Sequence, residues 1–119
     1  MRIAAACGGW LLAAAIVWLS LAPPPAEPGV HIPDKLAHFL AYGVLMAWFG
    51  LLYRRRNARL AYGALWIGMG IALEFAQGAT TYRSFELADM AANTLGVLAG
   101  ALAALSLPRA ARGAGTGTP

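Results

Sequence analysis

Charged residues are scarce in this sequence. Asp, Glu, Lys and Arg make up only 12% of its 119 residues, where soluble domains carry about 25%. Hydrophobic residues make up 60%, and a chain this short cannot bury so much apolar surface against itself. That surface must face something other than water, which excludes a soluble globular domain. Cysteine is nearly missing too. Cys7 stands alone, so no intrachain disulfide can form. The run Ala4-Ala5-Ala6-Cys7 imitates a lipoprotein processing site, but no hydrophobic segment precedes it, and Cys7 reads as a small helix residue. The net charge of +4 comes with no groove-sized basic patch, because Arg54, Arg55, Arg56 and Arg59 are wedged between two hydrophobic stretches. Such a run is a juxtamembrane anchor and points away from nucleic acid as a partner.

What the sequence does have is four apolar segments, each near the roughly 20 residues that cross a bilayer. They cover 3–22, 36–53, 60–79 and 87–107. Pro23-Pro24-Pro25 ends the first and Pro108 the last, since proline cannot continue a helix. The expectation is an all-α, polytopic four-helix transmembrane bundle, one domain over 1–112, with a disordered tail at 113–119. The first segment is longer than the apolar region of a signal peptide, and a proline follows its cleavage-like Ser20-Leu21-Ala22, so it reads as a retained helix. Arg2, the arginine run, Arg109 and Arg112 put seven positive charges on one side, and Lys35 and Arg83 put two on the other. Both termini are therefore expected in the cytoplasm.

Polar residues inside the segments share one depth. At about 1.5 Å per residue from the outer end, His38 lies roughly 4 Å deep and Tyr42 about 10 Å. Glu74 and Gln77 come out near 8 and 3 Å, and Asp89 and Asn93 near 4 and 10 Å, on the same rough scale. Asp34, His38 and Tyr42 share a face at i, i+4, i+8 spacing, as do Glu74 and Gln77 at i, i+3. Asp89, Asn93, Gly96 and Gly100 form one stripe of the fourth segment, and small-xxx-small pairs let helices approach closely. Gly63, Gly68 and Gly70 are expected to thin the third helix, and Gly8 and Gly9 the first. The polar faces must turn inward, because lipid cannot satisfy them. One such residue alone reads as helix glue or a dipole partner; converging from three helices, they read as a site.

Asp34-Lys35-x-x-His38-x-x-x-Tyr42, Glu74-x-x-Gln77, Arg83-Ser84-Phe85 and Asp89-x-x-x-Asn93-x-x-Gly96-x-x-x-Gly100 together resemble the VanZ-like family of small bacterial membrane proteins. The resemblance spans roughly Ile32 to Ala101, and the stretch Gly78 to Tyr82 departs from the proline-containing loop expected there. It implies a multi-pass protein of the bacterial cytoplasmic membrane and carries the family motif onto Lys35, His38, Tyr42, Glu74, Gln77, Arg83, Asp89 and Asn93. The founding member is associated with resistance to the glycopeptide teicoplanin.

Two functions compete. In the first, an envelope enzyme acts on a lipid-linked substrate: His38 is general acid or base, Glu74 or Asp89 orients it, and Arg83 holds an anionic group. Lys35, Tyr42, Gln77 and Asn93 complete the ligand site. In the second, the same pocket binds or presents a lipid head group or other amphiphile without chemistry. No nucleophile is evident, with Cys7 at the wrong end and Ser84 lacking a signature. One histidine and scattered carboxylates lack metal-ligand spacing, so neither a metal nor a cofactor is expected. Polar groups confined to the outer third argue against a transport path.

Overall fold

The computed structural model describes residues 1–24 and 33–108. The expected tail at 113–119, Arg109, Arg112 and most of the proline-rich connector lie outside the described residues. The described residues form four α-helices and no strand: α1 Arg2–Leu21, α2 Asp34–Leu52, α3 Arg56–Gly78 and α4 Leu87–Ser106. All four are long and apolar enough to cross a membrane.

The boundaries follow local chemistry. Pro33 precedes α2, and Asp34 in its first turn meets the positive end of the helix dipole. The third helix starts at Arg56, four residues before its apolar run. Arg and Ala are good helix formers, and Arg59 is tied down there, donating through Nε to the Gly50 carbonyl at 2.9 Å. Only Tyr53–Arg55 separate α2 from α3, a length that forces antiparallel neighbours.

Lateral order is set by glycine. The α2–α4 seam is the tightest: a Cβ on Gly96 would run into the Phe39 carbonyl oxygen, and one on Gly100 into that of Gly43. Gly43 answers from α2, with a Cβ there meeting the Gly96 oxygen at 3.3 Å. On α1, Gly9 admits the Phe49 and Trp48 rings, which a Cβ would meet at 2.7 and 2.8 Å. Gly70 lies against Asn93 and Tyr42. Gly68 departs from expectation, because a Cβ there meets nothing within 4 Å; it faces outward and does not thin a helix contact. No contact joins α1 to α4, which α2 and α3 hold apart.

Burial is inverted relative to a water-soluble protein. Leu95, Leu98, Leu102 and Leu105 are exposed, while Glu74, Gln77, Asp89 and Asn93 are buried. One end of the core is apolar, with Phe49 stacked on Tyr62 at 4.6 Å and Tyr53 on Tyr62 at 5.2 Å. The other end, where α1 and α3 finish and α2 and α4 begin, is polar.

Candidate functional site

The first turns of α2 and α4 face each other across the glycine seam, so close packing there brings their polar residues into bonding range. Lys35 Nζ donates to Asp89 Oδ1 and to Glu86 Oε2 and lies 3.6 Å from Asp34 Oδ2. His38 Nδ1 is 2.9 Å from Asn93 Oδ1. An amide oxygen only accepts, so Nδ1 carries a hydrogen, and Nε2 is the ring nitrogen left to face the aspartates. Nε2 lies 3.6 Å from Asp34 Oδ1 and 3.8 Å from Asp89 Oδ2. Asp34 and Asp89 thus each turn one oxygen to the lysine and one to the histidine.

The sequence shows no metal-ligand spacing, yet the fold brings three possible ligand atoms together here. One ligand atom each from Asp34, His38 and Asp89 lies within 4.8 Å of the others. Two carboxylates and one imidazole nitrogen, on a ring whose other nitrogen is bonded to Asn93, form a donor set of the kind that holds divalent transition metals. Lys35 already supplies a positive charge to the same carboxylates.

Glu74, at the end of α3, is fully buried, and its Oε1 accepts the Glu86 backbone N–H at 2.7 Å. It therefore satisfies one of the orphan amides at the start of α4, and it does not pair with Arg83. Its Oε2 has no partner among the described residues. Glu74→Gln keeps an acceptor for that N–H and replaces a buried ionisable group by a neutral amide, so it is expected to hold or raise the melting temperature in detergent. Glu74→Leu leaves the N–H bare and is expected to cost about 1–3 kcal/mol. A glutamine variant melting as low as the leucine variant would show that the ionised carboxylate itself is needed.

Gln77 and Arg83 have a role that sequence reasoning missed. The last carbonyls of α1 lack intrahelical donors, and side chains from α3 and the following loop supply them. Gln77 Nε2 donates to Ser20 at 2.9 Å and Tyr82 Oη to Leu21 at 2.6 Å. Arg83 donates through Nε to Ala22 at 3.0 Å and through Nη2 to Leu19 at 2.8 Å. Thr80 Oγ1 steadies this loop, donating to the Gln77 carbonyl at 2.7 Å and accepting from the Arg83 amide at 3.1 Å. Among the described residues Arg83 Nη1 makes no hydrogen bond and is open to a ligand.

Two cavities meet at this end. A recess of about 450 Å³ is lined by Asp34, His38, Gln77, Arg83, Glu86 and Asp89, among others. A cleft of about 240 Å³ shares Asp34, His38, Gln77 and Arg83 with it, and is otherwise lined mainly by Ile16, Leu19, Ala37, Ala41 and Tyr42. The first is polar and the second is walled largely by apolar side chains. Of the eight nominated residues, His38, Gln77, Arg83 and Asp89 line the recess and Tyr42 the cleft. Lys35, Glu74 and Asn93 instead hold the lining in place. Asp34 and Glu86 were not nominated. Asp34 was legible from its i, i+4 spacing to His38; Glu86, an isolated loop carboxylate, offered no signal.

The family model for VanZ/LLP1 matches residues 13–108. The chain belongs to that family. The match reaches back into α1, further than the motifs between Ile32 and Ala101, which agrees with α1 being bonded to the site loop. A protein of Schizosaccharomyces pombe described as uncharacterized is 40% identical over 75 residues, covering 60% of this chain. The chain spans 46% of that relative's length. No solved structure matches. This VanZ/LLP1 protein is a multi-pass membrane protein, and the polar residues that carried the resemblance in its sequence lie at the polar end of the bundle.

Proposed function

We propose that this protein holds an amphiphile at the outer face of the bacterial cytoplasmic membrane, with the head group in the recess and an acyl chain in the cleft. The observation that carries this reading is the shared wall: one polar and one largely apolar cavity meet at Asp34, His38, Gln77 and Arg83. The charges suit a zwitterionic head group. The Asp34 and Asp89 oxygens turned toward His38 receive an ammonium, and Arg83 Nη1 faces its anionic part. Lys35, tied to Asp89 and Glu86, sets the carboxylates and leaves the ligand to others.

The experiment is identification of amphiphiles that co-purify with tag-free protein, compared with the bulk lipid of the same membranes. One zwitterionic amphiphile should be enriched in wild type and lost from Asp89→Asn. Co-purifying lipid that mirrors the bulk membrane would overturn the reading. Profiling the envelope lipids, and teicoplanin susceptibility, with and without the protein then links the pocket to a phenotype.

One observation favours an enzymatic version. His38, with Nδ1 tied to Asn93 and Nε2 turned to the recess, is arranged as a general base. If the site is catalytic, His38→Ala keeps the ligand and loses its turnover.

The outer-face assignment rests on the seven-to-two distribution of positive charge. Reporter fusions after residues 30, 57, 84 and 112 are expected to read outside, inside, outside and inside. A fusion at 57 reading outside would invert the topology and move the pocket to the cytoplasmic face.

A further inference from the structure

The end of the bundle opposite the recess carries positive charge with no carboxylate beside it among the described residues. Arg2, Arg54, Arg55, Arg56 and Arg59 gather there around the α2–α3 turn. Among the described residues every carboxylate, namely Asp34, Glu74, Glu86 and Asp89, lies at the other end, and no Asp or Glu follows Asp89 in the sequence. Part of this charge serves the fold. Arg54 donates through Nη2 to the Leu107 carbonyl at 2.9 Å. Arg59 bonds the Gly50 and Ala104 carbonyls at 2.9 and 3.4 Å, so the C-termini of α2 and α4 are met by cations, as their dipoles favour. A guanidinium has five N–H donors, and these bonds leave most of them open. The Arg56 side chain makes no hydrogen bond among the described residues.

Arg54, Arg56 and Arg59 border a cleft of about 420 Å³ whose floor is Leu60, Ala101 and Leu105. It lies between the start of α3 and the end of α4, where the helices leave the apolar core. Three cations at the rim and an aliphatic floor running toward the bilayer centre match a phosphate head group with its acyl chain. We infer that this cleft is a site for an anionic phospholipid, its phosphate held by Arg54, Arg56 and Arg59 and one chain lying along Leu60 and Leu105. Guanidinium groups suit phosphate because their paired N–H donors match two of its oxygens. A bilayer supplies this ligand where it supplies little free anion, so the lipid is the occupant. This site shares no residue with the recess and stands whether or not an amphiphile binds there.

The test uses the purified full chain in detergent, titrated with dioleoyl phosphatidylglycerol, dioleoyl phosphatidylcholine, glycerophosphoglycerol or inorganic phosphate and read by native mass spectrometry. One phosphatidylglycerol is expected to bind in preference to phosphatidylcholine. Arg56→Gln removes no internal bond, so it leaves the fold intact and is expected to weaken that binding about fivefold, the usual effect of one basic residue near an anionic membrane. Arg55→Gln makes the same charge change outside the cleft lining and is expected to leave it unaltered. Equal binding of the two lipids overturns the inference. So does an Arg55→Gln loss as large as that of Arg56→Gln, which would mean diffuse attraction without a site. Glycerophosphoglycerol or phosphate binding as tightly as the lipid would show an anion site and remove the acyl chain from it.

Discussion

Gly100→Leu is expected to remove folded protein from the membrane, whereas Gly68→Leu, the same change one helix away, is expected to do almost nothing. The contrast comes from what each new side chain would meet. At Gly100 even a Cβ collides with the Gly43 carbonyl oxygen, and it would lie 3.0 Å from the Ala47 nitrogen. Both obstacles are backbone, which cannot rotate aside, so α2 and α4 must separate. Overpacking costs about 1–3 kcal/mol when side chains can shift, and this case should lie at or beyond the upper end. Separation also carries Lys35 away from Asp89 and His38 away from Asn93, since the seam holds both pairs together. At Gly68 nothing lies within 4 Å, and a surface change of that sort stays within about 0.5 kcal/mol. Membrane abundance and the melting temperature in detergent are the measurements. Wild-type levels of Gly100→Leu would mean that the α2–α4 seam is not the contact that holds the bundle together.

The second large effect separates the residues that line the recess from those that only support it. His38→Ala and Asp89→Ala are expected to leave abundance near wild type while the co-purifying amphiphile falls by about tenfold or more, which corresponds to losing one good polar contact. The small stability cost follows from what remains. Lys35 is half exposed and keeps Glu86 as a partner after Asp89 is gone, so losing the buried Asp89 leaves no buried charge unpaired. Arg83→Ala should behave in the opposite order. It strips two donors from the end of α1, and abundance should fall first, with ligand lost as a consequence. Gln77→Ala is expected to follow Arg83→Ala in milder form, because it removes a single bond to Ser20. If His38→Ala and Asp89→Ala lose abundance in step with the ligand and the envelope phenotype, the cluster is structural glue and the binding site is withdrawn.

These two experiments address different layers of one arrangement. Glycine contacts bring α2 against α4, that approach assembles Lys35, His38, Asp89 and Asn93, and the side chains capping α1 close the remaining wall. Gly96 sits one turn below Asn93 on the same stripe, so packing and site are parts of a single helix face. A membrane protein has little hydrophobic drive between its helices, which is why close backbone contact and buried polar pairs carry so much of its specificity.

The four helices, and the depth shared by the polar residues, were determined by the sequence alone. A backbone in lipid has to satisfy its own hydrogen bonds, so an apolar run of sufficient length has one outcome, and the rise per residue then places His38, Glu74 and Asp89 at a common level. Partners were another matter. That Glu74 serves the Glu86 amide and not Arg83, that Arg83 caps α1, and that Gly68 faces outward all depend on how each helix is rotated and which neighbour it meets. Periodicity gives a face without saying which face opposes it. The donor set of Asp34, His38 and Asp89 was hidden for the same reason, since its third member comes from a helix more than fifty residues further along the chain. Only the tertiary structure, through the glycine seam between α2 and α4, decided which of these residues meet.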